Sequence, residues 1–308
     1  FAVFLAGFFA VFGGFAALFG TGNMMQSNQM SLAIKTQFGV PPIITGAVIT
    51  FFVGLVVIGG IKRISTVAER LVPAMIVLYL AAGIIVLIDN ASALPNAFKL
   101  IFQYAFTPAA AIGGFVGKSV KEAIQFGARR GILSNEAGLG SAAIAHAAAQ
   151  TPSPLHQGLI GVMEVFIDTI IVCTFTALIN LSSGVWTSGV SGSAMTVSAF
   201  SKTLPHLGGI IVAVCSFLFG YTTIVGWCYY GEQCLKYLFG IKVTMPYRII
   251  FIALTFIGAV VSIEIVFFMG DIANAFMALP NLIGLLLLSG VLARKVKEMK
   301  KHYPNLLE

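Results

Sequence analysis

The run Ser134-Asn135-Glu136-Ala137-Gly138-Leu139-Gly140-Ser141 sets two serines, an asparagine, a glutamate and two glycines in one short stretch, and an alanine-rich half-helix follows it. Glycine admits backbone shapes that other residues resist. A stretch of this kind breaks a helix and frees carbonyl and amide groups, which can then hold an ion or a charged ligand. Inside hydrocarbon such a break survives only within protein or beside a water-filled cavity, because lipid offers no hydrogen-bond partner. Discontinuous membrane helices build binding sites in this way. The start of the second half-helix would aim the positive end of its dipole at a carboxylate. The plainer alternative is a loop between two helices at the membrane surface.

Other polar groups stand in apolar surroundings. Gly20-Thr21-Gly22-Asn23 leads into Gln26, Ser27 and Asn28, and Asn23 and Ser27 are i,i+4 neighbours with Gln26 one step round the same side. Such amides line a polar path or fasten one helix to another. Thr222 and Thr223 put two hydroxyls at the middle of a later span, with Trp227 four residues past Thr223. Hydroxyl oxygens suit a hard cation, although a threonine also bonds back to its own helix. Glu164 and Asp168 are four apart. Asp168 lies about 11 residues into its span, roughly 16 Å deep at 1.5 Å per residue, and an ionisable residue at that depth is a functional candidate. The alternatives for it are a structural pair with a base or a proton site. His146 and His156 read as helix-end residues, and Glu264 as a hydrated residue near the outer end of its span. The run 113–119 imitates a phosphate loop but has Ile112 where the first glycine belongs, and no strand precedes it. Cys173, Cys215, Cys228 and Cys234 have no metal-ligand spacing and read as small buried residues.

Composition defines what must position these groups. The chain of 308 residues is 58% hydrophobic and 9% charged, with a mean hydropathy of +0.97, against roughly 25% charged residues in soluble proteins. It therefore reads as an all-α polytopic membrane protein, one transmembrane domain over 1–308. A net charge of +7 fits cytoplasmic loops rather than nucleic acid, since no basic stripe with interleaved aromatics is present. The chain opens at Phe1 inside an apolar run without a methionine, and reads as an N-terminally truncated fragment.

A span needs about 20 apolar residues, and about eight are expected: 3–34, 42–60, 71–89 after a basic loop at 62–70, the broken one at 111–149, 157–182, 207–239, 247–268 and 272–293. Between them, 91–110 reads as a surface loop with a short helix, and 182–201 as an external loop with a short amphipathic helix. Lys and Arg in short loops set orientation. They place 61–70, 240–248 and the basic tail 294–301 in the cytoplasm, at the plasma membrane. Lys118, Lys121, Arg129 and Arg130 precede the break on its outer half and do not fit that pattern.

The run from Gly131 through Ser134-Asn135-Glu136-Ala137-Gly138-Leu139-Gly140-Ser141 to Ala149 resembles the signature of the alanine or glycine:cation symporter family, with Ala143 where its members typically have proline. The resemblance continues through Gly59-Gly60-Ile61-Lys62-Arg63-Ile64 with Glu69 and Leu71-Val72-Pro73, through Gly22-Asn23 with Gln26 and Asn28, and through Thr222-Thr223 to Trp227. It covers essentially the whole chain. It implies sodium-coupled, sometimes proton-coupled, uptake of alanine or glycine. It also implies the leucine-transporter fold, two inverted five-helix repeats with a broken first helix in each. In that frame 134–141 is the second broken helix. The first, with its own Gly-Thr-Gly-Asn motif, would lie before Phe1, so this segment alone is expected not to transport. Gly20-Thr21-Gly22-Asn23 imitates that motif, but the trailing Gln26 and Asn28 match a later helix.

On this reading Ser134, Asn135 and Gly138, with nearby backbone, hold the charged ends of a small amino acid. Gln26, Thr223 and Trp227 line the pocket, and Trp227 limits side-chain size. Thr222 and Thr223 offer oxygens to Na+, with carbonyls from the absent helix. The partners are alanine or glycine, the sodium ion and the bilayer, with no nucleic acid. One rival is a proton-coupled carrier of the same fold with Asp168 as the coupling site. Another is an intramembrane enzyme using Glu164 and Asp168 as paired carboxylates, for which no nucleophile or metal motif is found.

Overall fold

The computed structural model describes residues 2–106, 120–136 and 138–302, and every regular element among them is helical. The 113–119 run, Lys118 and the start of the expected fourth span lie outside the described residues.

The first expected span is two helices, α1 (Ala2–Phe19) and α2 (Met24–Phe38). Gly20 and Gly22 interrupt it at low helix propensity, and Asn23 leaves the helical region at φ −132°, ψ −78°. The expected single span ran through this point because apolar residues, among them Met24, Met25, Met30, Leu32 and Ile34, recur beyond it between the polar ones. The freed polar groups are paired across helices. Asn23 Nδ2 donates to Phe251 O at 2.8 Å and its Oδ1 accepts from Thr255 at 2.7 Å. Thr21 Oγ1 donates to Asn274 Oδ1 at 3.0 Å. Asn28 Nδ2 donates to the carbonyls of Gly258 at 3.0 Å and Val261 at 2.8 Å. Left unpaired in apolar surroundings, such groups would cost about 2–7 kcal/mol each.

Next come α3 (Pro42–Val57) and α4 (Gly60–Asp89). The basic stretch 62–70, expected as a loop, is the start of α4. Ile64, Val67 and Leu71, three and four apart, pack on the core, and that apolar stripe holds the stretch helical despite its charges. The short helices expected in the two loops are α5 (Leu94–Phe106) and, further on, α10 (Ser193–Thr203). Two short helices, α6 (Val120–Asn135) and α7 (Ser141–Ala147), flank the glycine-rich break. Then α8 (Pro154–Val165) continues through a π-helical segment, Phe166–Cys173, into α9 (Thr174–Ser182).

The long α11 (Gly208–Phe239) is followed by α12 (Thr244–Val260) and α13 (Ile263–His302). The last two spans, expected to divide near 268–272, divide instead at Val261, which is extended at ψ 158° and whose carbonyl is taken by Asn28. Asp271 does not end a helix because Arg130 Nη2 reaches it at 3.0 Å. Glu264 accordingly falls in the first turn of α13, where the helix dipole favours a negative charge.

The core is organised around α11, which packs on α1, α2, α4 and α10. Its Tyr221 and Ile224 meet Ile49 and Val53 of α3 and Phe251 of α12. Trp227 meets Ala16 and Ala17 of α1, Leu139 at the break, and Ala273 and Met277 of α13. Large apolar side chains cover the outside, Leu286 and Leu287 among them. Six helices among the described residues are long and apolar enough to cross a membrane, and α3 is a shorter apolar one. This is a polytopic, all-helical membrane protein. The four cysteines are free.

Candidate functional site

The break between α6 and α7 is where the site begins. Gly138 and Gly140 take positive φ, +83° and +90°. At Gly140 a Cβ would also meet Phe9 at 2.7 Å and Asn281 at 2.8 Å, so only glycine fits. Glu136 is a non-glycine residue with positive φ, 55°. Such backbone costs about 1–3 kcal/mol and persists where its surroundings over-determine it. Here they do so through its carboxylate. Trp227 Nε1 donates to Oε1 at 2.8 Å, and Ser141 Oγ donates to Oε2 at 2.7 Å.

A cavity of about 430 Å³ opens beside this break, within the range of small-ligand sites. It brings together Ser134, Asn135, Thr222, Thr223 and Trp227, all singled out by type and spacing, with Glu136, Glu164 and Asp168. A neighbouring cavity holds Gln26 and shares Asp168, Val172 and Phe219 with the first. Gln26 also reaches back to the other helix break, its Nε2 donating to Thr21 O at 3.1 Å. Gly138 lines neither described cavity. Its carbonyl accepts from Asn281 Nδ2 at 2.9 Å. Of the remaining α2 amides, Asn23 and Asn28 fasten α2 to α12.

The two carboxylates four apart have separate partners. Asp168 sits on the π-helical segment, and its Oδ2 accepts from Ser134 Oγ at 2.6 Å and from Thr169 at 3.3 Å. π-helical turns recur at functional sites. Glu164 pairs with His146 Nε2 at 3.2 Å, while Gln157 Nε2 lies 2.7 Å from His146 Nδ1. With Gln157 donating to Nδ1, the proton sits on Nε2 and points at Glu164. His146, in the last turn of α7, thus ties that half-helix to α8. The bases flanking the break are engaged too. Arg130 pairs with Asp271 at 3.0 Å, Arg129 approaches the same carboxylate at 3.8 Å, and Arg130 stacks on Phe267 at 4.7 Å.

Three carboxylates and no Lys, Arg or His are among the described residues that line the larger cavity. Its field attracts cations. Among the described residues no group of three or more His, Cys, Asp or Glu side chains could hold a metal ion; hydroxyl and carbonyl oxygens are also ligands that a hard cation takes. Thr223 Oγ1 donates to Phe219 O at 2.9 Å, and Thr222 Oγ1 lies 3.0 Å from the carbonyls of Leu218 and Phe219. A hydroxyl that donates backwards keeps its lone pairs for a cation.

Sequence reasoning counted Glu136 within the motif but gave it no role. Its signal was available, an ionisable residue inside a membrane helix break. The partner that defines it, Trp227, stands 91 positions away.

A bundle of membrane-length helices with a polar, acidic cavity against a broken helix has the build of a solute carrier. The chain belongs to the sodium:alanine symporter family, whose model matches residues 2–305, and this family of transporters sets the enzyme reading aside. It is 44% identical over 301 residues to the Sodium/alanine symporter AgcS of Methanococcus maripaludis, covering 96% of this chain and 65% of that protein. It is 43% identical over 296 residues to an Uncharacterized transporter of Haemophilus influenzae, with the same coverage of 96% and 65%. A Sodium/proton-dependent alanine carrier protein of Bacillus sp. strain PS3 is 32% identical over 283 residues, covering 86% and 63%. The chain thus spans just under two thirds of the length of these relatives.

Proposed function

We propose that this chain is the larger part of a cation-coupled symporter that brings a small neutral amino acid, alanine or glycine, into the cell with Na+ by alternating access. The observation that carries this reading is the larger cavity, where the broken helix, the threonine pair of α11 and Trp227 face one another. Asn135 and Ser134 at the end of α6, with Gln26 from the adjoining cavity, receive the amino acid's charged ends, and Gly138, outside both cavities, shapes the break that presents them. Thr222 and Thr223 offer oxygens to Na+. Trp227 closes the side-chain end. The family's description and the relative named Sodium/alanine symporter support sodium and alanine. In this proposal the chain crosses the membrane about eight times in the leucine-transporter arrangement, with α6–α7 as a broken span and the C-terminus cytoplasmic. The test is alanine uptake by the full gene product in proteoliposomes. An inward Na+ gradient should drive accumulation; accumulation driven equally well with Na+ replaced by choline would refute sodium coupling.

A second reading is proton coupling through Asp168. It is favoured by the placement of that carboxylate on a π-helical turn at the junction of both cavities, and a relative named as sodium/proton-dependent supports it. A pH gradient imposed without Na+ separates the two.

A further inference from the structure

We infer that Glu136 is a positioning residue that sets which side-chain sizes the cavity accepts, by fixing the indole of Trp227. This rests on the proposed site, in which Trp227 closes the pocket. Trp227 has one hydrogen-bond donor, and Glu136 Oε1 takes it at 2.8 Å. The carboxylate is itself held, because Ser141 Oγ donates to its other oxygen at 2.7 Å. The rest of the indole is packed. It is 3% exposed, Tyr230 lies at 5.5 Å between ring centroids, and a Cβ on Gly22 would come within 2.6 Å of the ring. Packing closes the ring against Gly22, and Trp227 also lines the cavity together with Glu136 and Tyr230. The hydrogen bond to Glu136 fixes the tilt of the ring at that wall. The indole wall of the pocket is thereby placed by the helix break, and not by α11 alone.

The test is competition binding by the full gene product in Na+, read as the ratio of leucine to alanine affinity. Loss of this hydrogen bond in Glu136→Leu should move the ratio toward leucine by about fivefold. Glu136→Gln keeps an acceptor oxygen and should restore most of the wild-type ratio. In a Trp227→Phe background, which has no indole N–H, Glu136→Leu should change the ratio no further. An unmoved ratio in Glu136→Leu, where Trp227→Phe does move it, overturns the positioning role and leaves the site reading intact. A ratio unmoved by Trp227→Phe overturns the site reading itself. A Gln variant as altered as the Leu variant also overturns the role, since the acceptor would then not be what matters. If Glu136→Leu does not reach the membrane, Ser141→Ala serves. Freeing the second carboxylate oxygen should shift the ratio the same way by about threefold, and no shift overturns the inference.

Discussion

Gly22 lies flat against the indole of Trp227, so close that a Cβ on it would come within 2.6 Å of the ring and of the tryptophan's own Cβ. The same indole donates its N–H to Glu136 at 2.8 Å. One side chain of α11 thus touches both helix breaks of the chain, at 20–23 and at 136–140. A single ring thereby joins the two segments.

Replacing Gly22 with alanine forces that contact. Overpacking of a filled interior costs about 1–3 kcal/mol, and neither the ring, held by Glu136, nor the break, held by Asn23 and Thr21, can yield freely. Gly22→Ala should lower the thermal midpoint of the detergent-solubilised protein by several degrees and weaken alanine binding. Gly7→Ala is the contrast. Nothing lies within 4 Å of a Cβ at Gly7, and alanine is the better helix former by about 0.8–1 kcal/mol, so its midpoint should hold or rise. Equal midpoints for both variants would contradict the packing described.

The threonine pair predicts a cation effect. Thr223→Ala and Thr222→Ala each remove one hydroxyl oxygen beside the cavity and leave α11 intact, because these hydroxyls only bond back to carbonyls of their own helix. The Na+ concentration for half-maximal alanine uptake should rise severalfold, about 1 kcal/mol for one lost polar interaction, while uptake at saturating Na+ falls less. Unchanged Na+ dependence in both variants would place the cation elsewhere.

The pair Arg130–Asp271 joins α6 to α13, with Phe267 under the guanidinium. Both side chains keep some exposure, 35% and 20%, so the coupling should be modest. A double-mutant cycle with Arg130→Ala and Asp271→Ala should give about 0.5–1 kcal/mol in thermal or denaturant stability. Asp271→Ala alone should cost less than Arg130→Ala, because the former leaves a cation that can reach water and the latter also loses the Phe267 stack. A coupling of zero would mean the two groups are solvated separately.

How legible this was depended on the range of each interaction. The break before Ser141 was readable because its cause is local: Gly138 and Gly140 demand positive φ within a few residues. The break at Gly20–Asn23 was not, because it is stabilised by Phe251, Thr255 and Asn274 from helices more than 200 residues away. The stretch 62–70 looked like a loop by charge, yet its fold follows Ile64, Val67 and Leu71. The last two spans were expected as 247–268 and 272–293, but the helix runs on through Asp271, which Arg130, 141 positions earlier, pairs with. The gathering of Ser134, Asn135, Thr222, Thr223 and Trp227 into one cavity followed the spacing, whereas the link from Trp227 to Glu136 had no local trace.

Asp168 decides between the two couplings. It lines both cavities and accepts a 2.6 Å hydrogen bond from Ser134. Asp168→Asn keeps the size of the group and an acceptor for Ser134, but removes a charge and a proton site. If Na+ drives transport, the variant should still accumulate alanine on a Na+ gradient. The Na+ requirement should rise by a few fold, since one of three carboxylates facing the larger cavity has lost its attraction for cations, about 1 kcal/mol through water at close range. If protons drive transport, the same variant should lose net accumulation while retaining exchange of internal for external alanine, because exchange needs binding and reorientation but no proton release. Measuring gradient-driven uptake and exchange side by side, at two pH values with and without Na+, distinguishes these outcomes. Loss of accumulation with exchange preserved would discard sodium as the sole driving ion. Retention of both, with only the Na+ requirement altered, would make Asp168 part of the field that draws the cation in.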